Sequence, residues 1–124
     1  MEVIISKEAS SAIGPYSQAI ALNGIVYTSG QIPLIPETGE LTDGGIKEQT
    51  RQVIENLKAV LTAAGSDLAH VFKTTCFLTD MKDFAAFNEV YAEYFTGKPA
   101  RSCVAALALP KGASVEIEAA AEIL

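Results

Sequence analysis

A chain of 124 residues, 49% hydrophobic and 19% charged, holds enough apolar material for one closed core and has the length of a single domain, residues 1–124. The formal net charge is -6, and the 9 Lys and Arg residues are scattered singly, so no nucleic-acid module is expected. The 2 cysteines lie in separate apolar segments, and the single histidine, His70, matches no zinc spacing with them; reduced thiols, no metal and a cytoplasmic setting are the expectation.

The first residues, "MEVIISKEASSA", lack the apolar stretch of a signal peptide, and no run approaches a membrane span. "SQAIALNGIVYTSGQ" places strand-like runs on either side of Asn23-Gly24, a pair suited to a type I′ hairpin turn. "IPLIPETGELTDGG" follows as an extended loop punctuated by Pro33, Pro36 and Gly39; such a loop is either functional or a surface excursion. From Ile46 the apolar positions Val53, Ile54, Leu57, Val60, Leu61 and Ala64 recur at helical spacing, with Gly65 as a stop signal. "HVFKTTCFLT" is β-branched and aromatic, hence a strand. Asp80 caps a second expected helix, in which Phe84, Phe87, Tyr91, Tyr94 and Phe95 repeat at helical spacing before Gly97 and Pro99. Two further strands are expected, Arg101 to Leu109 and Ser114 to Ile123.

This order gives an α+β fold, one sheet with two helices packed on one face. Along "RSCVAALAL" both alternating sets are apolar or small, which predicts a sheet covered on both faces. The helices cover one. A second copy of the chain is the expected cover for the other.

One residue stands out in that strand. Arg101 heads an apolar run, and an arginine is rarely buried without a partner. Alternation groups Arg101 with Cys103, and in "SVEIEAAAEI" it sends Glu116, Glu118 and Glu122 away from the apolar set Val115, Ile117, Ala119 and Ala121. If Arg101 shares the glutamate face, the pair lies at the subunit junction, a natural place for a cleft. Spacing alone equally permits a simple Arg101–glutamate ion pair that fixes assembly. Tyr16 in "GPYSQA" reads as a packed ring more readily than a ligand contact, and Asn88 as a backbone-bonding amide. Ser29-Gly30 reads as a bulge or strand-end turn, although glycine there also allows a small ligand close to the backbone. Cys103 has no histidine base beside it, which speaks against a thiolate nucleophile.

Taken together, "GPYSQA", "YTSGQIP", "KTTCFLTDM", "FNEVYAEYF", "PARSCV" and "VEIEA" resemble the Rid family, also called YjgF, in the expected order and across essentially the whole chain. The arginine and cysteine of "PARSCV" resemble its RidA-type branch. The resemblance implies a chorismate-mutase-like fold with one mixed sheet, assembled as a homotrimer with clefts between subunits. It also implies cofactor-free hydrolysis of 2-imino acids and their enamine tautomers, such as 2-iminopropanoate and 2-iminobutanoate, to 2-oxo acids and ammonia. By position, Arg101 would clamp the substrate carboxylate with its planar fork, and Glu116 would activate the attacking water. Backbone groups at Gly30 and Cys103 would hold the imine nitrogen, and Tyr16, Ser29 and Asn88 would line or support the cleft. The neutral "AALAL" after Cys103 departs from relatives that carry larger or charged residues there. Two other functions are compatible with the resemblance: an endoribonuclease acting as a translation inhibitor, and a non-catalytic metabolite-binding or chaperone-like trimer. The acidic charge and absence of a basic patch argue against the first.

Overall fold

The computed structural model describes all 124 residues. Six strands form one mixed sheet: β1 (Glu2–Ile4), β2 (Ala19–Leu22), β3 (Ile25–Thr28), β4 (Val71–Leu78), β5 (Ala100–Ala105) and β6 (Val115–Glu122), in the spatial order β1-β2-β3-β6-β4-β5. Helices α1 (Ile46–Ala63) and α2 (Phe84–Tyr94) cover one face. The β2–β3 hairpin forms because Asn23 and Gly24 both accept positive φ, 53° and 80°, the backbone a type I′ turn requires. β1 adds to β2 as a short edge strand that the sequence pattern did not reveal.

α1 buries Val53, Ile54, Leu57, Val60 and Leu61 against the sheet, and the chain turns out of it through Gly65 at φ 83°. Its buried Asn56 donates to the carbonyls of Ile32 and Leu34 at 3.2 and 2.9 Å, which fastens the long loop after β3 to the helix. β4 and β5 are parallel, so their connection must cross the sheet, and α2 is that crossover. Asp80 accepts from the Lys82 N–H at 2.9 Å and starts the short turn that leads into α2. Ion pairs Lys47–Glu89 and Arg51–Glu93, at 2.6 and 2.5 Å, tie α2 to α1; both are half-exposed and fix placement more than they add stability.

Two expectations need correction. The strand starting at Arg101 ends at Ala105 rather than Leu109. Its partner β4 stops at Leu78, whose carbonyl takes the Ala106 N–H at 2.7 Å, so no ladder remains for the residues beyond, and Leu107 is fully exposed. The second correction concerns which face Arg101 shares. Arg101 pairs with Thr74 and Thr74 with Ala119, so all three point towards the helices. Glu116 pairs with Phe77, one position out of phase, and points the other way. Arg101 and Glu116 of one chain therefore lie on opposite faces of the sheet.

The face away from the helices carries apolar side chains with no cover. Val3 is 54% exposed, Leu22 44%, and Tyr27 and Val104 49% each.

Candidate functional site

The arginine half is built by β5 and α2. Helical spacing puts Phe84, Phe87, Asn88 and Tyr91 on the side of α2 that meets Arg101. The guanidinium lies 4.8 Å from the Tyr91 ring centre, 5.5 Å from Phe84 and 5.8 Å from Phe87, and Nη1 donates to Asn88 Oδ1 at 2.7 Å. No carboxylate pairs with it, so the simple ion pair the sequence permitted does not form within the chain; the ion pairs present join other residues. Ring faces stabilise a cation without neutralising it or occupying its N–H donors. The charge therefore stays available. An open groove lined by Asn88, Tyr91, Phe95, Lys98, Pro99 and Arg101 leads to it.

Cys103, half-buried, pairs in register with the fully buried Cys76. Burial pushes the Cys103 thiol up, against a smaller opposing pull from Arg101, and pushes the Cys76 thiol up to about 12. Both favour the protonated form, which agrees with the sequence argument against a thiolate nucleophile.

The glutamate half is built by β6 and the end of β3. A Cβ at Gly30 would stand 2.1 Å from Glu116 Oε2 and 2.8 Å from its Cδ, so only glycine lets this carboxylate lie across the backbone. Paired backbone bonds between Gln31 and Ile117, 2.8 and 3.1 Å, hold Gly30 against β6. Burial raises the pKa of Glu116, and the like charge of Glu118 raises it further. Ser29 turns out to be a tether: its hydroxyl donates to the Ser17 carbonyl at 2.6 Å and its N–H to Gln18 at 2.8 Å. That fastens the loop carrying Tyr16, which is 54% exposed and lines one cavity with Gly30, Gln31 and Ile32.

The residues singled out in the sequence thus fall into two groups. Arg101, Asn88 and Cys103 meet on the helix side; Glu116, Gly30, Ser29 and Tyr16 meet on and beside the open face. Sequence reasoning missed the aromatic floor of Phe84, Phe87 and Tyr91. Their helical repeat was visible, but it reads as core packing until the arginine strand is known to face it.

A six-stranded mixed sheet with two helices on one face places the chain in a defined class. The family model described as Endoribonuclease L-PSP matches residues 6–123, and the chain belongs to that family, the Rid (YjgF) proteins. It is 55% identical to a RutC family protein of Pyrococcus horikoshii over 97% of this chain and 96% of the relative. It is 48% identical to the 2-iminobutanoate/2-iminopropanoate deaminase of Mus musculus, over 97% of this chain and 90% of that one. Among solved structures, Escherichia coli TdcF with bound serine superposes with a TM-score of 0.95 at 43% identity, covering all of both chains. No helix is long and apolar enough to cross a membrane.

Proposed function

We propose that the protein is a hydrolytic deaminase of small 2-imino acids, releasing the 2-oxo acid and ammonia, and that its site is completed by a neighbouring copy in a homotrimer. The observation that carries this reading is Arg101: a cation set on aromatic rings, facing a groove, with no anion of its own. A planar fork with free N–H groups fits a carboxylate bidentately. The mouse relative's name gives the substrate class, and serine in E. coli TdcF carries a carboxylate of the same kind.

In this reading Arg101 and Asn88 of one copy meet Glu116, Gly30 and Tyr16 of the next, because one chain holds the two groups on opposite faces. The Arg101 guanidinium takes the substrate carboxylate. Glu116 accepts a proton from water as the water oxygen bonds to the imine carbon and passes it to the imine nitrogen, giving a tetrahedral carbinolamine. Glu116 then takes the proton of the new hydroxyl and delivers it to the amino nitrogen, so that the C–N bond breaks as C=O forms, leaving 2-oxo acid and ammonia. A raised carboxyl pKa suits such a two-way carrier, since proton transfer works best near the operating pH. Imines hydrolyse unaided in water, so positioning and proton transfer suffice.

The test generates 2-iminobutanoate or 2-iminopropanoate with a dehydratase and follows its decay. Ammonia and oxo acid must appear faster with the protein than in buffer. An unchanged decay rate leaves a binding module, and a stable monomer at micromolar concentration in sedimentation equilibrium removes the shared site.

A further inference from the structure

We propose that Tyr91 is a positioning residue that aims the Arg101 guanidinium at the substrate carboxylate, with its ring as the floor and the Thr74 hydroxyl as its anchor. The inference rests on the reading of Arg101 as the anion clamp. An arginine side chain has several free torsions, and an unrestrained fork loses that freedom when it binds. Three rings and the Asn88 amide restrict it beforehand.

Tyr91 supplies the closest ring, 4.8 Å from the guanidinium carbon. Its hydroxyl shares a 2.7 Å hydrogen bond with Thr74 Oγ1, and Thr74 is fully buried. Thr74 is also the register partner of Arg101. The ring is thus tied to the residue beside the arginine it supports, so the two cannot shift independently. The Phe95 ring stacks against it with centres 4.4 Å apart and Phe87 lies 5.6 Å away, which limits the tilt of the ring. Asn88, one turn before along α2, takes a single N–H and sets the rotation of the fork. A carboxylate in place of the ring would hold the arginine equally well but would neutralise it. The ring holds it charged.

Three variants separate this role from simple packing, each sized first to confirm its assembly. Tyr91→Phe keeps the ring and loses the hydroxyl. Tyr91→pentafluorophenylalanine keeps nearly the same shape but reverses the charge distribution of the ring face. Arg101→Ala removes the clamp. Affinity for 2-oxobutanoate is measured by calorimetry, with kcat and KM for imine hydrolysis alongside.

The expected result is that Tyr91→Phe, whose ring is no longer tied to Thr74, weakens Kd and KM by about 2- to 5-fold. The fluorinated ring weakens them by about 5- to 30-fold beyond the Phe form, with a smaller change in kcat in both. A Phe form that binds as the parent does overturns the Thr74 anchor. Equal affinity of the Phe and pentafluorophenylalanine forms, with binding lost in Arg101→Ala, overturns the role of Tyr91 and leaves the clamp standing. Wild-type affinity in Arg101→Ala overturns the clamp itself.

Discussion

On the helix-covered face Arg101 rests on three rings and one amide oxygen, with no anion in reach; on the open face Glu116 lies across a glycine beside Glu118, with no cation in reach. Within the chain neither Arg101 nor Glu116 has a partner of opposite charge, and their own signs are opposite. Half-buried charges without partners weaken a fold, so their retention on both faces points to something outside the single chain. In the proposed trimer each would find its complement across the cleft, with substrate between them.

The largest expected effect breaks the comparison at its chemical end. Glu116→Gln preserves size and much of the hydrogen bonding but removes the proton acceptor, so turnover should fall about 10²- to 10⁴-fold while a 2-oxo acid still binds. Arg101→Ala should do the reverse, losing a charge-assisted contact worth roughly 1.5–3 kcal/mol and with it most product affinity. Arg101→Lys should recover little, because a point charge does not reproduce the fork. Calorimetry against 2-oxobutanoate and the coupled assay read the two halves separately. A Gln variant that hydrolyses imine at the parental rate ends the assignment of Glu116.

A smaller effect is expected one step back, at Gly30. Gly30→Ala drives a methyl group into the space of Glu116 Oε2, 2.1 Å away. The carboxylate is the free end of a side chain and can swing aside, so the fold should survive with little change in melting temperature. Activity should nevertheless drop towards that of Glu116→Gln, since the base has moved. Full activity in this variant would mean that Glu116 works from another position.

Much of this arrangement is legible in the sequence, and the part that is not has a single origin. Asn23-Gly24 specifies its hairpin locally, and the apolar repeat from Val53 to Leu61 specifies α1. The motifs also single out Arg101, Asn88, Cys103, Glu116, Gly30, Ser29 and Tyr16 as residues to follow in the structure. Their distribution between faces is another matter. Along β5 both alternating sets are small or apolar, so nothing local says whether Arg101 points to the helices or away from them. The answer comes from pairing with Thr74 on a strand more than twenty residues earlier, across the α2 crossover. A slip of one residue there would put Arg101 and Glu116 on the same side. The end of β5 at Ala105 has the same cause, since it is set by where β4 stops.

The finest test of the two-face comparison is a titration. Within one chain, burial and Glu118 raise the Glu116 pKa above its ordinary value of 4.5. A carboxyl whose folded pKa is raised stabilises the fold most below pH 4.5, and that contribution is lost as pH rises through the folded value. Glu116→Gln should therefore gain on the parent as pH rises above 4.5, seen as a difference in denaturation midpoint. Assembly adds a term of opposite sign: a guanidinium brought near the carboxylate favours its charged form and lowers the pKa. Following the Glu116 carboxyl carbon by NMR in the parent and in Arg101→Ala isolates that term. A higher pKa in Arg101→Ala, with both proteins the same size in solution, is the outcome expected if Arg101 of one copy faces Glu116 of another. Superimposable titrations would mean that the two charges never meet, and that each face keeps its own for a separate reason.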